Sequence, residues 1–305
     1  MPNKRTASKN RQLNRVLFLL TLILAVCFAL YISFFADASD TAQAPAASNE
    51  AAGTEMSVMV IDVGQADSIL IAFGSDDVML IDAGEQKDAA AIKEELDERG
   101  ITQIDVLVAT HPHADHIGGM KQIIDSYEVG SVYMPDMTSD SKTYRELKAA
   151  IKERGIPLTI AFAGETFNLG PAACTIVSPD KNADIDANNE SVMLMIDYID
   201  TEFLFTGDAE KRAEEEAMEA GYFIDADVLK VGHHGSHTGT SEEFLKAVSP
   251  DFAVISCGKD NDYGHPHKET LKLLDKYGID TLRTDISGDI LFVSDGYTLK
   301  TAFGD

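Results

Sequence analysis

Short apolar runs separated by polar stretches make up most of the chain after residue 55. Runs of Val, Ile, Leu and Met end at Gly, Asp or Pro, which is typical of buried strands. Other segments carry apolar residues at helical spacing and stop at a glycine, as residues 87–99 do before Gly100. Strands that repeatedly run into helices predict an α/β fold.

The pattern divides into two αβ halves. The first half is predicted to contain strands over 56–63, 68–73, 78–82, 104–109 and 129–134 and helices over 87–99, 120–126 and 144–154. The second half is predicted to contain strands over 158–161, 173–177, 191–198, 202–206, 227–231 and 252–256, helices over 210–220, 242–248 and 268–277, and a terminal hairpin over 288–301. Residues able to bind metals lie in several loops that follow the strands.

The N-terminal segment has a different character. Residues 16–36 form a continuous apolar run whose length suits a membrane span. Basic residues precede it, within 1–15, and acidic residues follow it, so we expect the rest of the chain to lie outside the cytoplasm. A cut by signal peptidase after Ala38 would instead give a secreted protein. Residues 37–55, rich in Ala, Ser and Pro, predict a flexible linker to a folded domain over 56–305.

Charge and cysteine content narrow the function classes. The formal net charge is −26, and five of the 25 basic residues lie in the first 15 positions. The folded domain should therefore be soluble and should repel polyanions at long range, which argues against tight, sequence-independent DNA binding. Cys174 and Cys257 could pair or stay free, and the spacing does not decide between the two.

The most concentrated candidate chemistry lies in residues 110–116, Thr-His-Pro-His-Ala-Asp-His, directly after a predicted buried strand. In a loop, His111 and His113 can point to one side while Asp115 and His116 turn to the other. Imidazole and carboxylate are the ligands that zinc, manganese and iron accept, so this arrangement suits two adjacent divalent metals. A polar surface loop is the alternative, but so dense a run of ligand types in a chain with eight histidines favours metal binding.

Further donors follow two later strands. Asp208 comes after the predicted strand 202–206, where Gly207 allows a tight turn, and its carboxylate could bridge two cations. His233 and His234 follow the predicted strand 227–231; we expect one of them to bind metal and the other to contact substrate or support a ligand. The histidines outside the first cluster are His233, His234, His237, His265 and His267.

Residues 110–116 resemble the His-x-His-x-Asp-His signature of the metallo-β-lactamase superfamily. That resemblance implies a four-layer αββα sandwich with a one- or two-metal hydrolytic site. More narrowly, the chain over 56–305 is similar to the ComEC-type metallo-hydrolase domain, the C-terminal part of the competence DNA-uptake channel protein. The segments that carry this likeness are 62–67 (DVGQAD), 80–84 (LIDAG), 110–119, 188–191 (NNES), 206–210 (TGDAE), 229–236 (LKVGHHGS) and 263–266 (YGHP).

The chain departs from the family pattern at three points. It has one predicted membrane span where the channel protein has many, and Ala66 stands where the family usually has glycine. The superfamily's separate third-motif histidine is absent, and residues 188–191 occupy that region. One metal would therefore be held less fully by protein, which leaves room for water or a phosphate oxygen.

The resemblance implies two divalent ions, zinc or manganese, and a role for each candidate residue. His111 and His113 bind one metal, Asp115, His116 and His234 the other, and Asp208 bridges them. His233 is the alternative candidate for the role of His234. His265 contacts the scissile phosphate or protonates the leaving oxygen, Asp115 also orients the attacking hydroxide, and Asp82 orients histidines rather than binding metal.

These features predict an extracytoplasmic phosphodiesterase or nuclease-like enzyme that uses water activated by two metals. Its expected partners are a phosphodiester substrate, with nucleic acid as a candidate, and the membrane through the N-terminal helix; no obligate protein partner is expected. One alternative is a lactone or amide hydrolase of the β-lactamase kind, disfavoured by the missing third-motif histidine and by residues 263–266. A non-catalytic metal-binding surface protein is the other, disfavoured by the intact set of ligands.

Overall fold

Strands and helices alternate along the part of the chain that the computed structural model describes, residues 54–181 and 186–303. The strands are β1 (Met56–Val60), β2 (Ile69–Phe73), β3 (Asp77–Ile81), β4 (Gln103–Val108), β5 (Glu128–Met134), β6 (Leu158–Ile160), β7 (Thr166–Leu169), β8 (Ala172–Ser178), β9 (Met193–Tyr198), β10 (Thr201–Phe205), β11 (Val228–Lys230), β12 (Phe252–Ile255), β13 (Asp280–Arg283), β14 (Ile290–Ser294) and β15 (Leu299–Phe303). The helices are α1 (Ala89–Glu98), α2 (Ala114–Ile117), α3 (Met120–Ser126), α4 (Lys142–Arg154), α5 (Lys211–Ala220), α6 (Glu242–Val248), α7 (Lys268–Tyr277) and α8 (Thr284–Ser287), with a 3₁₀ turn over Gly232–Gly235.

The strands form two sheets of mixed direction. The first sheet has the order β15-β14-β1-β2-β3-β4-β5-β6, and the second has the order β13-β12-β11-β10-β9-β8-β7. Strands β3 to β6 pair in parallel, as do β10 to β13, while the other neighbours pair antiparallel. Parallel neighbours need a crossover, and most of the longer helices lie in these connections.

Because successive side chains of a strand point to opposite faces, the apolar residues form three hydrophobic cores, one between the two sheets and one on the outer face of each sheet. In β3, Met79 and Ile81 face the core between the two sheets, whereas Leu80 faces the helices on the outside. The outer core of the first sheet contains residues of α1, α3 and α4, and that of the second contains residues of α5, α6 and α7. The predicted four-layer αββα sandwich is therefore confirmed.

Some elements differ from the sequence-based expectation. Strands β7 and β13 were not predicted, because both are short and mostly half-exposed and so lack a clear apolar run. Residues 114–117, expected as loop, form the short helix α2. Cys174 and Cys257 are both buried and free.

The predicted membrane span, 16–36, and nearly all of the linker lie outside the described residues. Among the residues that are described, no helix has the length and apolar character needed to cross a membrane.

Candidate metal centre

The loops that carry the candidate donors follow neighbouring parallel strands. Asp82 comes after β3 and residues 110–116 after β4, while Asp208, the turn 232–235 and residues 256–267 come after β10, β11 and β12. The carboxyl ends of parallel neighbours lie at one edge of a sheet, where α/β proteins bind their ligands. The structure brings these loops from both sheets together around Asp208.

The Asp208 carboxylate is the centre of the cluster and is almost fully buried. Its Oδ1 atom lies 3.3 Å from His116 Nε2 and 3.5 Å from His234 Nε2. Its Oδ2 atom lies 3.7 Å from His111 Nε2 and 3.8 Å from His233 Nε2. Each oxygen therefore faces a different pair of imidazoles.

Three groups of donor atoms in the described residues could hold a metal ion, and two of them share Asp208. The third comprises Asp67, Asp82 and His116 and does not include Asp208. Of the two sets that share Asp208, the first comprises Asp115, His116, Asp208 and His234, and the other comprises His111, His113 and Asp208. Three buried atoms of the first set, His116 Nε2, His234 Nε2 and Asp208 Oδ1, have no hydrogen-bond partner within the protein. Buried polar atoms without partners are costly, and three that converge on one point are explained by a cation that all of them bind. Nitrogen and carboxylate donors of this kind suit Zn²⁺ or Mn²⁺.

Hydrogen bonds at Nδ1 turn the Nε2 lone pairs of four histidines towards Asp208. The Nδ1 atom of His116 donates to Asp82 Oδ2 at 2.7 Å. Thr110 donates its hydroxyl to the same carboxylate at 2.6 Å, so Thr110 Oγ1 can accept from His111 Nδ1, 3.1 Å away. Carboxylate and carbonyl partners behind imidazoles are typical of metal centres because they fix the tautomer.

The same arrangement holds for the second histidine pair. His234 Nδ1 lies 3.1 Å from the Ser256 carbonyl oxygen, and His233 Nδ1 lies 3.0 Å from Glu210 Oε1. Asn188, in the region where the superfamily has its third-motif histidine, lies within 3.4 Å of that Glu210 oxygen through Nδ2. Because Glu210 and the Ser256 carbonyl bind the Nδ1 atoms of the two histidines, the Nε2 atoms of both are free to bind a metal.

A left-handed turn separates the two adjacent histidine rings. His233 and His234 have φ values of 49° and 53°, which L-residues other than glycine adopt rarely and at a cost. The ring centroids lie 6.2 Å apart. The sequence left open which histidine of the pair faces the metals; both Nε2 atoms face Asp208, each on its own oxygen.

The carboxylates of the centre favour positive charge between them. Burial alone would raise the pKa of Asp208, but His116 and His234 outweigh it and hold that pKa well below its usual range. Burial would likewise lower the pKa of His116, yet Asp208 and Asp82 raise it well above its usual range. The site thus stabilises cationic charge in a buried position, as a divalent metal would require.

An open cleft of about 340 Å³ gives access to the donors from one side. Burial, together with His234 and His233, lowers the pKa of His265 to about 4, so its imidazole is neutral at neutral pH. Gln65 Oε1 accepts a hydrogen bond from Gly258 N at 3.0 Å, so its amide nitrogen faces His265 Nδ1 at 3.2 Å. This nitrogen can only donate, which leaves the proton of His265 on Nε2. The cleft is lined by Gln65, His113, Ala114, Asp115, Asp208, His233, His234, Tyr263 and His265.

Several residues of the site were given no role by sequence reasoning. Glu210 appeared only as the start of a predicted helix and as the last residue of a family segment, and Gln65 only as part of a family segment. Lys230 is buried and donates to Asp67 Oδ2 at 2.9 Å, while Asp67 Oδ1 faces His234 Nδ1 at 3.6 Å. A lysine inside an apolar strand was a visible sign of such a buried ion pair. His237 and His267 hydrogen-bond each other outside the two donor sets.

Comparison with known proteins identifies the family to which this fold belongs. Residues 61–259 match the family described as the metallo-beta-lactamase superfamily. The chain belongs to this superfamily. Its fold is also similar to that of Igni18, a metallo hydrolase from Ignicoccus hospitalis KIN4/I, with a TM-score of 0.50 at 14% identity over 82% of this chain and 100% of that chain. Family and donor sets together make the protein a metallo-hydrolase of the superfamily.

The resemblance to ComEC-type competence proteins is confirmed as well. ComE operon protein 3 of Bacillus subtilis (strain 168) is 34% identical over 257 residues, which are 78% of this chain and 33% of that protein. Competence protein ComA of Neisseria gonorrhoeae is 31% identical over 240 residues, which are 78% of this chain and 32% of that protein. The chain thus spans about a third of the length of these relatives.

Proposed function

We propose that the protein is a phosphodiesterase that uses two divalent metal ions and takes nucleic acid as a candidate substrate. The observation that carries this proposal is the Asp208 carboxylate, whose two oxygens face separate pairs of imidazoles within 3.3 to 3.8 Å. A bridging carboxylate between two donor sets is the arrangement of two-metal hydrolytic sites. The similarity to competence proteins favours a phosphodiester over a lactam or lactone.

In this proposal His233 and His234 serve different metals. His233 joins the set that contains His111 and His113, because its Nε2 atom faces the same Asp208 oxygen as His111 does. His234 belongs to the set that contains Asp115 and His116, because its Nε2 atom faces the other oxygen. His233 would then supply the imidazole that the missing third-motif histidine would otherwise provide. The proposed ligands are His111, His113, His233 and Asp208 for one metal, and Asp115, His116, His234 and Asp208 for the other.

Two bound cations would lower the pKa of a shared water and offset the negative charge of a phosphodiester transition state. Asp115 is the most exposed carboxylate of the centre, with a third of its side chain accessible, so its free oxygen can accept a hydrogen bond from the attacking water. The neutral His265 holds its proton on Nε2, and a neutral imidazole is a far better hydrogen-bond donor than proton donor. His265 therefore binds a phosphate oxygen rather than protonating the leaving group.

The N-terminal sequence and the competence relatives together support a location at the membrane. We propose that residues 16–36 anchor the protein and that the hydrolase domain lies outside the cytoplasm. Cleavage after Ala38 would give the same domain in secreted form.

Three substrates tested with Mn²⁺ or Zn²⁺ distinguish the candidate functions. We expect turnover of single-stranded DNA and of bis(p-nitrophenyl) phosphate, no turnover of a β-lactam, and loss of activity on metal chelation. Asp208→Asn should lose most activity and metal content, because a neutral amide is a poor bridge between cations. β-Lactam turnover without phosphodiester turnover would overturn the proposal, as would full metal content with normal turnover in Asp208→Asn.

A further inference from the structure

An exposed aromatic ring stands at the mouth of the metal centre. Tyr263 is 69% exposed and lines the cleft that gives access to Asp208. Its ring stacks on His265, with centroids 5.6 Å apart and an angle of 24° between the ring planes. The His265 ring in turn lies 5.5 Å from the ring of His233. The phenol is thus one imidazole away from the metal donors.

The loop that carries Tyr263 is held in place by its own polar groups. Asn261 Oδ1 accepts from the backbone nitrogens of Tyr263 and His265 at 3.2 and 3.0 Å. Asn261 Nδ2 donates to the carbonyl oxygens of Gly258 and His265 at 2.8 and 2.6 Å. Gln65 holds the His265 side chain from the other side at 3.2 Å. An exposed aromatic ring on a braced loop loses little entropy when a flat ligand stacks on it.

The charge of the protein favours such an uncharged contact for a nucleic-acid substrate. The formal net charge is −26, and none of the residues lining the cleft is lysine or arginine. Phosphate contacts by basic side chains usually supply most of the affinity for nucleic acid, and the described cleft offers none. Stacking of bases on aromatic side chains is the other general source of affinity for single strands, and it does not depend on charge.

We propose that Tyr263 is the platform on which a nucleobase next to the scissile phosphate stacks. The phosphate would lie at the metal donors, His265 would donate to one of its oxygens, and the adjacent base would cover the free face of the phenol. This inference rests on the proposed phosphodiesterase function and defines its substrate as single-stranded or unpaired at the cleaved position.

The test compares a dinucleotide with its abasic analogue, which keeps the sugar–phosphate and lacks the bases. With saturating Mn²⁺, the wild type should cleave thymidylyl-thymidine about 5- to 100-fold more efficiently, in kcat/KM, than the abasic compound. Tyr263→Ala should reduce this ratio to near one, and Tyr263→Phe should keep it. Tyr297→Ala is the matched control, because Tyr297 is also exposed, at 62%, but does not line the cleft. A ratio near one in the wild type, or an unchanged ratio in Tyr263→Ala, would overturn the platform.

A binding measurement tests the stacking of a base on Tyr263 independently of the proposed phosphodiesterase activity. The dissociation constants of thymidine 5′-monophosphate and of 2-deoxyribose 5-phosphate are measured on the Mn²⁺-loaded wild type and on Tyr263→Ala. Tighter binding of the nucleotide by the wild type alone supports the platform even if neither dinucleotide is cleaved, in which case only the phosphodiesterase proposal fails. Equal binding of the two ligands by the wild type overturns the platform whether or not cleavage occurs. Metal content should be equal in all variants, because Tyr263 belongs to neither donor set.

Discussion

At His233 a strained backbone and a carboxylate partner turn one imidazole towards the Asp208 carboxylate. The left-handed φ of 49° directs the ring to Asp208 Oδ2, and Glu210 holds Nδ1 at 3.0 Å. We therefore expect His233→Ala to reduce bound metal from two ions towards one per chain. Glu210→Gln should still bind both ions at saturating metal, but its affinity for one of them should be about 10- to 100-fold lower. Metal titration of the apoprotein with optical or mass-spectrometric readout measures both.

His237→Ala is the matched control for His233→Ala. His237 is exposed and lies outside both donor sets, so its loss should leave the metal content unchanged. If His233→Ala still binds two ions with wild-type affinity, His233 is not a ligand, and its contact with Glu210 serves only to hold the turn.

A variant of His265 distinguishes a residue that contacts the substrate from one that binds a metal. Its ring lines the cleft, but it is in neither donor set. We expect His265→Ala to keep its metals and to lose at least about 10²-fold in kcat/KM for a phosphodiester, because one hydrogen-bond donor to the transition state is lost. His111→Ala should lose metal as well as rate. Normal turnover in His265→Ala would remove it from the substrate site, and loss of metal would make it a ligand.

At the scale of the elements, the parts of the site that follow buried strands could be predicted from sequence. The His/Asp cluster after β4 and Asp208 after β10 each follow a predicted buried strand, which places each of them at the end of a sheet. The two strands belong to different sheets, and only the family resemblance predicted that the two loops meet at one site. Contacts between loops could not be predicted. Gln65 and His265 are 200 positions apart, and their hydrogen bond depends on the fold of two irregular loops. The direction of the His233 ring depends on a left-handed turn that no residue type signals.

Glu202, near the start of β10 and beside β11, has a carboxyl group whose negative charge opposes folding. Burial, and then the neighbouring Asp227 and Asp197, raise the pKa of Glu202 from 4.5 to about 7. The folded protein therefore keeps a proton that the unfolded chain has released, and this contribution to stability falls as the pH rises from about 4.5 through 7. Glu202→Gln should raise the Tm by on the order of 2 °C at pH 8 and leave it unchanged at pH 4.

Thermal unfolding of the metal-loaded protein at both pH values measures this effect. Glu94→Gln, on the exposed side of α1, is the control that removes one negative charge elsewhere. An equal gain in Tm from both variants at pH 8 would mean that general charge repulsion, and not the neighbours of Glu202, is responsible.

At the scale of the whole molecule, the folded domain and the N-terminal segment 1–15 carry net charges of opposite sign, negative in the domain and positive in the segment. The sandwich exposes its metal centre at one edge, where a substrate can approach from solvent. Basic residues before the apolar run 16–36 favour a cytoplasmic N-terminus, and with the proposed anchor the cleft would lie outside the cytoplasm. A domain so placed can meet phosphodiesters that never enter the cytoplasm.

Protease added to intact cells tests this orientation. We expect it to remove the hydrolase domain in intact cells, or in spheroplasts where an outer envelope blocks access, while a cytoplasmic marker protein stays whole. Replacing the five basic residues of 1–15 by neutral ones should weaken the orientation signal and reduce the fraction of domain that the protease reaches. A domain that is cut only after lysis lies in the cytoplasm. That result would make intracellular phosphodiesters the accessible substrates, with the metal centre itself unchanged.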